Sequence, residues 1–273
     1  MPSLSPVPDG HRPDDGTHAL RDAARSYGTD AERYDRTRPR YPDALVERVI
    51  AAAPDRDVLD VGAGTGIAGL AFQAAGCTVL GVEPDPRMAE LARRKGLEVE
   101  VATFEGWDPA GRTFGALVSG TAWHWIDPVA GAAKAATALR PGGRLALFWN
   151  AFRPAPQVAR AFGAVYARVL PDLPVLQRAM AGPDSHAGMV ATASDGIART
   201  GAFGAVEQWR FDWSRPYTRD QWLDQVPTFG GNGQLPPDRL DALLTGIGDA
   251  VDAMGGGFTM DYTALVVTST RLP

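Results

Sequence analysis

Residues 58–66 read Val58-Leu59-Asp60-Val61-Gly62-Ala63-Gly64-Thr65-Gly66, and this stretch decides the fold. The apolar residues from Asp57 to Val61 predict a strand buried on both faces. The glycines at 62, 64 and 66 then turn the chain into a helix running through Ala75. They leave bare main chain where that helix begins, and a ligand can lie against it because no Cβ holds it off. Thr78–Glu83 predicts a second strand that ends in an acid, about twenty residues after the turn. Neighbouring parallel strands end side by side. One nucleoside can therefore touch the turn while a carboxylate accepts both of its ribose hydroxyl hydrogens.

Working outward, short apolar strands and helical segments keep alternating. A helix opens at Pro86 and closes near Gly96, Leu97–Ala102 is a third strand, and Ala116–Ser119 is a fourth. Pro128–Leu139 is helical, and Arg144–Trp149 forms a fifth strand after the turn Pro141-Gly142-Gly143. This rhythm predicts an α/β fold, a doubly wound Rossmann-like sheet covered on both faces. Residues 1–16 are rich in Pro, Asp, Gly and Ser and predict a disordered tail. Residues 17–150 are expected to hold an N-terminal lid segment, with a helix over Thr17–Tyr27, followed by the ligand-binding core. Past Asn150 the rhythm stops, so 151–204 is expected to be a helical substrate lid, with one clear helix over Gln157–Leu170. Trp209, Phe211 and Trp213 alternate with polar residues as in a half-buried strand. Helices over Arg219–Gln225 and Pro237–Met254 and a last strand over Thr259–Thr268 let 205–273 complete the same sheet.

The composition suits a packed core, with 45% hydrophobic and 22% charged residues. A net charge of −5 argues against a nucleic-acid partner. The 27 basic residues are scattered, and only Lys95 and Lys134 among them are lysine. Cys77, the one cysteine, cannot form an internal disulfide. No apolar run approaches membrane-spanning length and the N-terminus lacks a signal pattern, so a reducing cytoplasm without membrane contact is the expected setting.

A dinucleotide-binding oxidoreductase using NAD(P) is the rival reading. Gly64, Gly66 and Gly69 satisfy G-x-G-x-x-G taken literally. That fingerprint should start directly after the strand, at Gly62, and from there its third glycine falls at Ile67. Asp60 also opposes a pyrophosphate, yet it suits a ligand that carries an ammonium group.

Asp60 to Gly66, Val82-Glu83-Pro84, Ala122-Trp123-His124-Trp125-Ile126 and Leu139-Arg140-Pro141-Gly142-Gly143 occur in that order, preceded by Tyr34-Asp35-Arg36-Thr37-Arg38-Pro39-Arg40-Tyr41-Pro42. Together they resemble the motifs of class I S-adenosylmethionine-dependent methyltransferases. The likeness is to the small-molecule branch that includes ubiquinone/menaquinone-biosynthesis and trans-aconitate methyltransferase-like proteins. It runs from about Tyr34 to Asn150. The resemblance implies a seven-stranded sheet with a reversed last strand and S-adenosylmethionine as cofactor. Gly62, Gly64 and Gly66 would back its methionine portion, Asp60 would meet its ammonium, and Glu83 would hold its ribose. Pro84 and Met88 would pack near the adenine, with Thr103 and Phe104 on its other edge, although the acid common at that point is missing. Tyr34 and Arg38 would close over the methionine end.

The reaction so implied is an in-line displacement that needs positioning and dryness more than dedicated catalytic groups. His124 is the candidate base for an acceptor that must lose a proton, with Tyr34 and Tyr41 behind it; its plainer role is as pocket wall. No metal-ligating cluster is expected. The acceptor is expected to be a small organic molecule with an apolar portion, lined by such residues as Phe152, Phe162, Tyr166, Met180 and Met189. A chain that binds the nucleoside without transferring its methyl group fits the same residues.

Overall fold

The computed structural model describes residues 27–172 and 186–273. Its centre is a seven-stranded sheet in the order β3-β2-β1-β4-β5-β7-β6. The strands are β1 (Asp57–Val61), β2 (Thr78–Glu83), β3 (Glu98–Val101), β4 (Phe114–Gly120), β5 (Leu139–Pro154), β6 (Glu207–Thr218) and β7 (Gly257–Thr270). The first five run parallel. Only β7 is reversed, lying antiparallel to both β5 and β6. Helices cover both faces, which explains why β1 and β4 are apolar on consecutive residues rather than on alternate ones.

One face carries α2 (Asp43–Ala51), α3 (Ile67–Ala74) and α4 (Pro86–Arg94), which bury Leu45, Val49, Phe72 and Ala89 against Val58 and Val118. The other carries α5 (Pro128–Ala138) and α7 (Ala187–Arg199), whose Ala135 and Ile197 pack on Leu117 and Leu147. Local chemistry sets the helix starts. Asp85 and Asp127 each accept a backbone N–H of the first turn, and each precedes a proline at the first helical position.

The ends of the molecule differ from the sequence expectations in three ways. Helix α2 was not foreseen, although Leu45, Val46 and Val49 recur at helical spacing. Strands β5, β6 and β7 are longer than expected, because they continue together beyond the core as a ladder in which Arg153 faces Asp261 and Pro154 faces Met260. The stretch 151–204 is also no single lid. Its second helix, α7, is a layer of the core on α5, because Ala193, Gly196 and Ile197 are buried there. Its first helix, α6 (Pro156–Val169), joins α8 (Arg219–Gln225) and α9 (Pro237–Asp252) in a cap on the extended ladder. Trp222 is the centre of that cap, with ring centroids 5.6 Å from Phe162, 5.0 Å from Tyr217 and 5.4 Å from Phe229. The tail, the helix expected over Thr17–Tyr27 and Met180 lie outside the described residues, apart from Tyr27, which opens a short 3₁₀ turn.

Residues 31–42 form a strap across the carboxyl ends of the strands, beginning with α1 (Ala31–Thr37). Polar bonds pin it on two sides. Asp35 Oδ1 accepts from Thr65 Oγ1 at 2.8 Å and from Lys95 Nζ at 2.5 Å, and Glu32 pairs with Arg94. Toward the cap, Arg36 donates to both oxygens of Asp224, at 2.9 and 3.0 Å. The Asp35 carboxyl is held below the usual carboxylate range: burial pushes it up, but the bonds from Lys95, Thr65 and Arg40 outweigh that. Asp35→Ala should therefore loosen the strap and leave the core intact. Losing about 1 kcal/mol of local stability would raise the open population about fivefold. Trypsin cleavage after Arg33, Arg36 or Arg40 should accelerate by that factor, and an unchanged rate would show that the strap is held elsewhere.

Candidate functional site

Strand connections wind in opposite directions from β1 and from β4, and a cavity opens beyond their carboxyl ends, as expected at such a switch point. The turn after β1 supplies Gly62 and Gly64 to its wall, and the strap supplies Tyr34, Arg38 and Tyr41. Gly120 and Thr121 come from the end of β4, and Asn150 and Phe152 from β5.

The three turn glycines have different reasons to be glycine. Gly64 has φ +56° and a Cβ there would meet no atom within 4 Å, so its bare backbone faces open space. Gly62 has φ +69°, and its Cβ would lie 2.3 Å from that of Ala122. Gly66 faces away from the cavity, where a Cβ would press on Leu97 at 3.2 Å and Leu70 at 3.3 Å. The expectation that Gly66 backs a ligand is therefore corrected: it packs the helix start onto the core.

Two buried acids sit under and beside this turn. Asp60 has no exposed surface; Oδ2 accepts from Gly69 N at 2.8 Å, and Oδ1 has no partner among the described residues. Glu83 Oε2 accepts from Gly64 N at 2.8 Å and Oε1 from Asp85 N at 2.9 Å, so this carboxylate ties the turn to the end of β2. Burial pushes both acids up to about 7, against the pull of the N–H groups that bond them. Each carboxylate oxygen of Glu83 has a second lone pair for a ligand hydroxyl. Asp60 is not one of the residues that wall the cavity; it is fully buried in β1, two residues before the turn.

The remaining expected residues divide between rim and core. Pro84 and Thr103 are exposed at the ends of β2 and β3, beside Glu83. Met88 is buried in the first turn of α4. Phe104 turns inward, its ring 6.3 Å from that of Trp107 and 6.1 Å from that of Trp123, so it is a core residue and forms no edge of the site.

His124 fits a wall better than a base. Its Nδ1 accepts from Trp149 Nε1 at 3.4 Å, which leaves the proton of the neutral ring on Nε2. Burial, assisted by His186 and Arg38, pushes the imidazole down to about 4, so at neutral pH it is uncharged and a weak proton acceptor. The structure instead draws attention to Thr121, a β-branched residue at φ +57°, in a region such side chains avoid. Its Oγ1 lies 2.9 Å from the Tyr41 hydroxyl, and the Tyr41 ring packs edge-on against Phe148 at 4.6 Å. Thr121, Asn150 and Phe152 carried no motif; only folding brings them to the turn.

Both buried acids bind protons more tightly in the folded chain than in the unfolded one, so each stabilises the fold most in acid. From about pH 4 to about pH 7 the unfolded chain ionises first and that stability is lost, completely so above the folded value of about 7. Across this window the unfolding midpoint of wild type should fall more steeply than that of Glu83→Gln. Parallel pH profiles would place the carboxyl in water.

Comparisons with known proteins agree with this geometry. Residues 34–168 match the family described as a methyltransferase domain. An uncharacterised methyltransferase of Mycobacterium tuberculosis is 38% identical over 137 residues, 49% of this chain and 56% of the relative. The chain thus spans just over half the length of the curated relatives it matches. Among solved structures, a candidate type II methyltransferase of Anaeromyxobacter dehalogenans shares the fold with a TM-score of 0.56 and 21% identity, covering 86% of this chain and 99% of that one. Phosphoethanolamine N-methyltransferase 2 of Haemonchus contortus, solved with S-adenosylhomocysteine, gives 0.53 and 12%, over 94% of this chain and 60% of that one. A glycine turn tied to the acid that ends the next strand, at the switch point of this sheet, lies within the residues that match the methyltransferase domain, and it is there that the chain is similar to these methyltransferases.

Proposed function

We propose that this protein transfers the methyl group of S-adenosylmethionine to a small organic acceptor with an apolar portion. The observation that supports this most is the pair of buried acids at the ends of adjacent strands. Asp60 keeps an unpartnered oxygen under the turn and Glu83 joins the turn to β2. A cationic amino acid with a ribose attached fits that donor set, whereas a pyrophosphate would meet two negative charges.

In this reading Asp60 compensates the ammonium, Gly62 and Gly64 let the methionine chain approach, and Glu83 accepts from the ribose hydroxyls. Pro84 and Thr103 border the adenine, with Met88 beneath. Tyr34 and Arg38 cover the methionine end. When bound, the cofactor supplies a methyl carbon already activated by its sulfonium. The protein's own residues then hold the acceptor in line and keep water out. Phe152 and the aromatic cap form the apolar side where that acceptor lies, and His124 shapes the wall. The cavity encloses about 60 Å³, far below the roughly 300–1,000 Å³ of pockets that bury such ligands. Cofactor and acceptor therefore enter as the strap shifts, which makes the Asp35 contacts to Thr65 and Lys95 part of a gate.

Titration calorimetry with S-adenosylmethionine, S-adenosylhomocysteine and NAD tests the reading, and binding of NAD alone would overturn it. Asp60→Asn and Glu83→Ala should each weaken S-adenosylhomocysteine at least about tenfold, the cost of leaving a buried charged or polar group unpaired. Binding ionises acids that are half-protonated near pH 7, so affinity should rise between pH 6 and 8. About one proton should be released per cofactor at pH 7, read from titrations in buffers of different ionisation enthalpy. Transfer of labelled methyl into an extract of candidate acceptors completes the test, and binding without transfer would mark a non-catalytic receptor.

A further inference from the structure

Strand β6 is an open edge of the sheet. It pairs with β7 on one side, and among the described residues no strand pairs with its other side. At 12 residues it is long for a strand, and an open edge of that length is one that folded proteins usually shorten, bend or cover. Gln208, Arg210, Asp212 and Ser214 stand exposed on one face; on the other, Trp209 is buried and Phe211, Trp213 and Arg215 are half-buried.

Residues 207–215 read Glu207-Gln208-Trp209-Arg210-Phe211-Asp212-Trp213-Ser214-Arg215, and about Phe211 this stretch is its own complement. In an antiparallel pairing with Phe211 opposite itself, Arg210 faces Asp212, Trp209 faces Trp213, Gln208 faces Ser214 and Glu207 faces Arg215. Every charge of the strand then meets an opposite one. A two-fold axis normal to the sheet sets each residue opposite one on the same face, so the nearest other registers slide by two. Sliding one way puts Arg210 on Arg210, and sliding the other way puts Asp212 on Asp212, both repulsive. Pro216, which has no N–H to donate, follows directly and limits the ladder at that end.

We propose that β6 docks a second copy of this chain through residues 207–215, in the register centred on Phe211. The proposal is independent of the methyl-transfer reading. Such a contact is isologous and closes at two copies. The opposite edge of the sheet, β3, has 4 residues and offers a much shorter ladder. The aromatics of β6 are already held in place: Arg48 and Arg144 lie over the Trp209 ring at 4.2 and 4.8 Å, and Trp213 stacks on Tyr262 at 4.4 Å. They lose little side-chain freedom on pairing. Glu207 bonds Arg144 at 2.7 Å and Asp212 accepts from Thr263 Oγ1 at 2.6 Å, yet their side chains keep 48% and 66% exposure, so the partner's arginines can reach them. Main-chain bonds supply the affinity and the charges fix the register. A single strand pair buries less than a standard interface, so a dissociation constant in the micromolar range is expected.

Analytical ultracentrifugation of the full chain, from micromolar to millimolar concentration, should show a monomer–dimer equilibrium. Arg210→Asp and Asp212→Arg each set like charges opposite one another twice and should each weaken the dimer at least about tenfold. The double exchange, R210D with D212R, rebuilds both pairs with their signs reversed and should return the affinity to within about threefold of wild type. Unfolding midpoints measured on dilute samples show that each variant is folded. Hydrogen exchange of wild type locates the contact without any substitution: amides of 207–215 should slow at dimer concentrations, while those of β3 stay unchanged. A chain that remains monomeric at millimolar concentration overturns the proposal, and so does an open-ended polymer. A dimer indifferent to both single reversals, a folded double variant that stays monomeric, or protection confined to other segments does the same.

Discussion

Everything at the site depends on backbone N–H groups held by buried carboxylates. Glu83 takes the N–H of Gly64 on one oxygen and that of Asp85 on the other, so the turn after β1 and the start of α4 share a single anchor. Asp60 does the same one layer down for the N–H of Gly69. These acids are costly in a free protein, since burial raises their proton affinity toward neutrality. The fold here places both acids at the turn that walls the cavity, Glu83 bonded to Gly64 and Asp60 two residues before Gly62.

A second constraint is how the cavity is covered. The strap is fastened by ion pairs and hydroxyls, with Asp35 on Thr65 and Lys95 and Arg36 on Asp224, and by the Tyr41 ring on Phe148. The Arg36–Asp224 pair is exposed, and such pairs are individually weak, so that side of the strap can release and reclose. The cap is different. It is an aromatic cluster on the extended β5–β7–β6 ladder, with Trp222 fully buried at its centre. One side of the cavity is thus labile and the other firm. In the proposed reaction, that division suits a cofactor that exchanges every turnover beside an acceptor recognised by shape.

The core was legible because its signals are local. Strand β1, the glycine turn and the acid ending β2 declare themselves by periodicity and spacing, and the buried parallel sheet leaves continuous apolar runs. The cap was not legible, because its helices come from segments on both sides of β6, and only the register of β7 against β5 and β6 brings α6 beside α8 and α9. Helix α7 was misplaced into a lid for the same reason: Ala193 and Ile197 look like any amphipathic face until α5 is set against them. Within the site, motif position identified Tyr34, Arg38, Gly62 and Gly64. It could not separate Gly66 or Phe104, which follow the same pattern but face the core, from residues that face the cavity. Thr121 and Asn150 had no sequence signal, since their places arise from backbone strain and strand extension, whereas Phe152 was expected as lining and stands on the cavity wall.

The segment between β6 and β7 has an evolutionary consequence. Residues 219–256 leave the sheet at the end of one strand and return at the start of its hydrogen-bonded neighbour, Thr218 pairing with Gly257. An excursion that starts and finishes at one rung can be lengthened, shortened or exchanged without altering the register of any strand below it. The half of the molecule that contains the glycine turn and β1 to β4 is insulated from such changes. Descendants of this chain can therefore diversify on the cap side of the cavity by editing one graft, while the turn side stays as it is.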